Sequence, residues 1–452
     1  MKKNPKRTIS TKGAPYIEGD VHVGGDFVLG NKLIVALGKR AFLFGALVLA
    51  LIISGAAYFL YVALSPQLPA RMTGDFNIAI AGFTQQGDFQ NSNTGLEVAR
   101  RVYDRFSNLG KDSGIKVWPP EWVGTVAGKD RDARATSAEQ IAKRINADIL
   151  VYGMLINNGK SFEISPEFYV SSKDFYLVGE IVGQHELGTP IIVSGQENPA
   201  ERILTSKTLT TRSEVLSRLV LALSYFALQR PDDALTELQA AENTSGWADA
   251  EGKHVAYLFI GNMAGKKGDY ATAERALKRA LEIDPEYARA LVGLANIYYL
   301  NALPPPSTTG SAAELKNTNF DLLNLAIETY QKATRATNKS ALSDISTKVH
   351  YGLGQCYFVR AQGGIHPSFD NAIEEFNLVI SDYGNGANTR VQEFAAESHA
   401  RLGLIFAIQG AISSAVDEYE LAAKLLLTTD GASYNPQRAD LFQRRARELR
   451  GR

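Results

Sequence analysis

The chain has 452 residues, enough for two or three domains and too many for one small fold. Lysine plus arginine and aspartate plus glutamate both number 48, so the formal net charge is zero, which argues against nucleic-acid binding by bulk positive charge. With 45% apolar residues it can build real cores, and its single cysteine, Cys356, can form neither an intramolecular disulfide nor a cysteine-based zinc site.

Residues 1–40 carry eight cations, Lys2, Lys3, Lys6, Arg7, Lys12, Lys32, Lys39 and Arg40, against Glu18, Asp20 and Asp26. This basic surplus suits a strip lying on anionic lipid headgroups. Within it Gly19-Asp-Val-His-Val-Gly24 is followed by Gly25-Asp-Phe-Val-Leu-Gly30, with Val21, Val23, Phe27 and Leu29 alternating as in strands. The pattern reads as a hairpin or β-arc, or else as a turn-rich basic tail. The stretch GDVHVGGDFVLGNK, within residues 16–32, resembles short leader segments of bacterial multidomain signalling proteins that carry repeat arrays. Two hexads cannot bury a core alone, so an ordered leader would need copies from other chains, making self-association one use for it.

Ala41 to Leu64 is 24 residues without a charge. At about 1.5 Å per residue this run crosses a hydrocarbon layer of about 30 Å. Tyr58 and Tyr61 lie near its far end, and Pro66 and Pro69 close it. Forty preceding residues are too many for a cleavable signal peptide, so an uncleaved anchor is expected. Lys32, Lys39 and Arg40 flank the near side and only Arg71 follows closely beyond, which puts the N-terminus in the cytoplasm of a bacterial-type cell and the rest outside it.

Residues 74–205 read as a small α/β domain. FNIAIAGF at 76–83 is a buried strand, and Thr94-Gly-Leu-Glu97 is a capping-box pattern opening a helix through Val98, Val102 and Phe106. Ile115 to Trp118 is a strand ended by Pro119-Pro120; Thr136-Ser-Ala-Glu139 repeats the capping pattern; Ala147 to Gly153 is a third strand, with Phe162 to Val170 pairing beside it. Strands separated by single helices imply parallel pairing. The order of elements, and TSAEQIAKRINADILVYGML in particular, resembles the N-terminal α/β modules of the TolB and CsgG type across 76–170. That resemblance implies a role in assembly and recognition.

Catalytic signatures are absent from the sequence: no G-x-x-x-x-G-K-[ST], no G-x-G-x-x-G after a strand, no H-E-x-x-H and no G-x-S-x-G. The six histidines, at 22, 185, 254, 350, 366 and 399, are scattered, with none at i+3 or i+4 from another, so neither a metal site nor a cofactor is expected. Asp130 and Asp132 alternate with Lys129, Arg131 and Arg134 and read as a solvated loop rather than paired catalytic carboxylates.

From residue 212 to 430 the pattern becomes helical and self-similar. Residues 254–287 place Tyr257, Ile260, Gly261, Gly268, Tyr270, Ala273, Leu277, Ala280 and Pro285 at the spacings of a 34-residue helix-pair repeat. GDYATAERALKRALEIDPEYARAL resembles the tetratricopeptide repeat (TPR) family. About five units follow this frame, marked by Ala222, Leu294, Ala326, Gly354 and Gly403 among others, with a long insertion after Leu303 and a shorter one around Gly363 to Pro367. Arg438 to Leu449, with Ala439, Phe442 and Ala446 on one face, is expected as a solubilising end helix over 436–450.

Stacked pairs curve, and their first helices line a concave trough. The TPR frame puts Asn262, Asn296 and Gln355 at its inward ninth position and Lys266, Arg289, Lys348 and Tyr351 at other inward sites. Such an amide row can hydrogen-bond an extended peptide, and the cations would favour acidic residues or a C-terminal carboxylate. Leu258 and Gly293 replace residues that the carboxylate-clamp members carry, so clamp-type binding is not expected. The whole reads as a multidomain chain with one transmembrane helix, a small α/β domain and an all-α TPR solenoid: a non-enzymatic, single-pass membrane scaffold that binds proteins or peptides, with no nucleic acid. The alternative is a sensor whose α/β domain binds a small ligand at the strand ends and whose repeats relay it.

Overall fold

The structure is a computed structural model that describes residue 54 and residues 71–451, apart from 88, 90–92, 108–113, 174, 176–179, 195–198, 305–316, 337–343, 365–367, 385–390 and 428–434. The leader over 1–40 and the apolar run 41–64, Ser54 excepted, lie outside the described residues. Among the described residues no helix is long and apolar enough to cross a membrane.

β1 (Phe76–Ile80) lies between β3 (Ile115–Trp118) and β4 (Ile149–Asn157), all three parallel. β2 (Thr84–Gln86) continues along β4. β5 (Ser161–Val170) then turns back antiparallel along the whole of β4 and carries β6 (Gly183–Glu186) and β7 (Ile191–Ser194) on its other edge, also antiparallel. Parallel pairing therefore holds only for the strands that helices separate. β4 and β5 are joined by Asn158-Gly159-Lys160, where the positive φ of Gly159 permits a tight turn, and a tight turn dictates an antiparallel partner.

Side chains alternate along each strand between two cores. Phe76, Ile78, Ile80, Ile149, Val151, Ile164 and Phe168 face α1 (Thr94–Ser107) and the repeats, whereas Ala79, Leu150, Tyr152 and Tyr169 face α3 (Arg131–Ile145). Each fully buried large side chain stabilises the sheet by about 1.5–3 kcal/mol. The short α2 (Pro120–Val123) starts at the Pro119-Pro120 pair. α3 begins earlier than the Thr136 capping pattern suggests: Asp130 is its cap, accepting from the Ala133 amide at 2.8 Å, and Thr136 sits mid-helix with its hydroxyl donating to the Asp132 carbonyl. Asp130 and Asp132 are thus a helix start rather than a loop, favoured by the positive end of the helix dipole.

Helices run from α4 (Pro199–Leu204) onward, ahead of the expected boundary at 212. Among the described residues five antiparallel pairs follow. They are α5 (Lys207–Ala227) with α6 (Pro231–Glu242), α7 (Lys253–Lys266) with α8 (Tyr270–Ile283), α9 (Ala288–Ala302) with α10 (Phe320–Arg335), α11 (Ile345–Gln362) with α12 (Asp370–Gly384), and α13 (Gln392–Ile408) with α14 (Ile412–Leu426). α15 (Pro436–Arg450) closes the stack on α14, burying Ala439, Phe442 and Ala446. The repeat-frame residues Ala222, Ala273, Leu277, Ala280, Ala326, Phe376, Ala415 and Ala422 are all buried. Small residues sit where helices cross: a Cβ on Gly261 would lie 2.5 Å from Leu277 Cγ.

Candidate peptide-binding trough

The α/β domain is not a separate bead. Its apolar core runs without a break from the sheet into the first repeats. His185 on β6 stacks on Phe168 with ring centroids 4.9 Å apart and meets Phe259 of α7 edge-on. Burial holds this imidazole well below its usual pKa, so it is a neutral packing group whose Nε2 lies 2.7 Å from the Ile181 carbonyl oxygen. Two arginines from first helices fasten the same segment. Arg212 of α5 donates to the carbonyls of Leu187 and Thr189, and Arg289 of α9 donates to those of Glu180, Val182 and Gln184.

Arg289 was expected in the open trough. It is instead 0% exposed, its guanidinium surrounded by sheet-domain carbonyls, and burial lowers its pKa to about 10. The reason is local. α9 reads ARALVGLANIYYLNA and buries nearly all its length, so a long donor on it must find backbone acceptors inside the protein. The α/β domain thereby occupies part of the concave side.

Beyond that contact the trough continues as two adjoining cavities of about 280 and 300 Å³ that share Glu180, Asn296 and Leu300. Asn262 and Lys266 line the first, Lys348, Tyr351 and Gln355 the second, and Asn296 both. Six of the seven sequence candidates, drawn from α7, α9 and α11, thus line one surface. Asn262 donates its amide N–H to the Leu258 carbonyl at 2.9 Å, and Gln355 donates to the Tyr351 hydroxyl at 3.2 Å, which leaves their side-chain oxygens as acceptors.

The electrostatics differ from the sequence expectation. Lys266 is exposed at the rim and Lys348 is only 8% exposed, while three carboxylates unsuspected in the sequence, Glu180, Glu393 and Glu397, line the second cavity. Arg438 of α15 grips Glu397, with Nη2 to Oε2 at 2.7 Å, whereas Glu393 has no ion pair or hydrogen bond among the described residues. Burial first, and then Glu397, push the Glu393 carboxyl above its ordinary range. Acidic partners are therefore disfavoured at this end. The cavity walls also carry Tyr299, Tyr330, Tyr351 and Phe394, the last two meeting edge-on at 5.3 Å. Gly352 makes room for them, since a Cβ there would overlap the Tyr330 ring. The spacing of Glu393 and Glu397, four apart in QEFAAESHA and so on one face of a helix, was the signal available for this wall.

A separate cavity of about 310 Å³ lies where the β6–β7 loop meets α7, lined by Arg131, His185, Glu186, His254 and Tyr287 among others. Burial lowers the His254 pKa as well. Among the described residues no group of three or more histidines, cysteines or carboxylates is placed to hold a metal ion. Asp148 is structural: it accepts from the Asn77 amide at 2.7 Å and pairs with Lys173.

Residues 266–303, spanning the end of α7, α8 and α9, match the family profile of the tetratricopeptide repeat. No curated protein matches the chain. Solved structures similar to it include TTC0263, a thermophilic TPR protein of Thermus thermophilus, at 18% identity over 53% of this chain and 100% of that one, with a TM-score of 0.34. MamA follows at 19% identity, 44% and 88% coverage and a TM-score of 0.25, and the TPR domain of P58(IPK) at 16%, 56% and 69%, with 0.21. The C-terminal part is a TPR-like solenoid and the N-terminal described part a small sheet domain; the helix pairing and the matched stretch carry that assignment.

Proposed function

We propose that this protein is a non-enzymatic scaffold that gathers partner proteins at a membrane by binding extended segments of them in the trough. The observation that supports the reading is the convergence of Asn262, Lys266, Asn296, Lys348, Tyr351 and Gln355, from three successive repeats, on one continuous groove. Side-chain amide acceptors in a row suit a peptide backbone, which offers a donor at every second residue on one edge. The run 41–64 serves as the anchor, with the repeats on the extracytoplasmic side, and tethering raises the local concentration of whatever binds. The basic leader then lies on the cytoplasmic leaflet, where it also self-associates. Co-purification from membranes of the wild type against the triple variant Asn262→Ala, Lys266→Ala, Asn296→Ala tests the groove; equal recovery of every protein would refute it. Protease added to intact spheroplasts should digest the part after residue 70, and protection would reverse the orientation.

The cavity at the junction of the β6–β7 loop and α7 favours a second reading, a sensor. It has about 310 Å³ and sits between the sheet domain and the repeats, so occupancy there bears on both. A thermal shift with a small anionic metabolite, abolished by Arg131→Ala, would support it, and its absence across a metabolite panel would count against it.

A further inference from the structure

The second cavity of the trough has features that a generic peptide groove does not need. Glu180 and Glu393 present carboxylates that no described residue engages by hydrogen bond or ion pair. They come from separate parts of the chain, the sheet domain and α13, yet face one space. Tyr330 and Tyr299, 3% and 8% exposed, line the same cavity. Rings from four residues complete the walls, and their faces attract cations.

We propose that the cavity framed by Tyr299, Tyr330, Tyr351, Phe394, Glu180 and Glu393 receives a lysine or arginine side chain carried by an extended segment of a partner protein. The proposal rests on the reading of the trough as a peptide-binding groove and gives that groove its chemistry. A cationic head fits each observation. It neutralises two carboxylates held close to apolar walls and leaves its aliphatic stem against the rings. Arg438 and Lys348, the cavity's own cations, do not fill this role: Arg438 is held by Glu397, and Lys348 is almost wholly buried in α11. The neighbouring cavity, sharing Glu180 and Asn296, continues the path for the backbone, so the occupant is a chain rather than a free amine. The acidic ligand that the rim lysine suggests belongs, if anywhere, to the Lys266 end.

A library of random nonapeptides displayed on phage and panned on the full chain in detergent tests this. The wild type is expected to enrich peptides with lysine or arginine at one fixed position. Glu393→Gln, which keeps the shape and removes the charge, should weaken those peptides about tenfold, the loss of one charge-assisted bond. Glu180→Gln, on a separate segment, should act in the same direction, and circular-dichroism melting checks that both variants fold. Enriched peptides without a basic position, or basic peptides indifferent to both glutamine variants, would overturn this proposal and leave peptide binding standing. Failure to enrich any peptide would overturn both.

Discussion

Replacing Arg289 by methionine keeps an apolar stem and removes every donor, so the carbonyls of Glu180, Val182 and Gln184 lose their shared partner. At about 2 kcal/mol for each bond from a charged donor, the three contribute about 6 kcal/mol. Burial of the charge opposes them. A fall in pKa from 12.5 to about 10 corresponds, at about 1.4 kcal/mol per unit, to about 3.5 kcal/mol that the substitution returns. The net expectation is a loss of about 2.5 kcal/mol, near the lower end of what removing one partner of a buried charged network costs. Urea unfolding of residues 70–452, followed by circular dichroism, reads this as a lower midpoint, and hydrogen exchange should quicken at the amides of 181–187. A loss below about 1 kcal/mol with unchanged exchange would refute the view that Arg289 fastens the sheet domain to the repeats.

Three further outcomes follow from the same geometry. Arg134 and Glu167 form a buried pair beneath α3, Nε to Oε1 at 3.0 Å, so Glu167→Leu alone should cost about 3–5 kcal/mol and Arg134→Met with Glu167→Leu should recover most of it; additive losses in the double-mutant cycle would count against the pairing. His350 hydrogen-bonds Glu375 at 2.7 Å, which raises its pKa above 6.5. A raised folded-state value means the stabilisation is complete below the ordinary pKa and disappears as pH climbs past the raised one, so the melting-point gap between wild type and His350→Gln should narrow from pH 6 to pH 8.5. Gly352→Ala should lower stability by about 1–3 kcal/mol because its methyl overlaps the Tyr330 ring, and a melt equal to wild type would show that the ring moves freely.

Local periodicity made much of this chain legible. Gly261 and Ala273 announce close helix crossings because only small side chains fit there, and the alternation in FNIAI and ILVYG marks strands with two covered faces. Contacts between distant segments left no such trace. Arg289 looks like any helical cation until its neighbours are considered; a lone arginine within the apolar run of α9 was the available hint. The antiparallel return of β5 was foreshadowed by Asn158-Gly159, and the start of α3 by Asp130, which the capping pattern at Thr136 obscured. Glu180 escaped because its place at the groove depends on the docking of the sheet domain, a long-range event that no short window encodes.

The unbroken core shared by the sheet and the early repeats makes the border near residue 206 one of topology, not of cooperativity. Cutting there would strip Phe168 from Phe259 and Phe175 from Phe226, turning both fragments into sticky, partly molten pieces. α14 and α15 share another apolar cluster with Ala396 and Ala400 of α13, while Leu402 and Ile405 of that same helix belong to the main core, so α13 joins the end of the stack to the rest. Displacing α14 and α15 would therefore disturb α13 and the wall that Glu393 and Arg438 build.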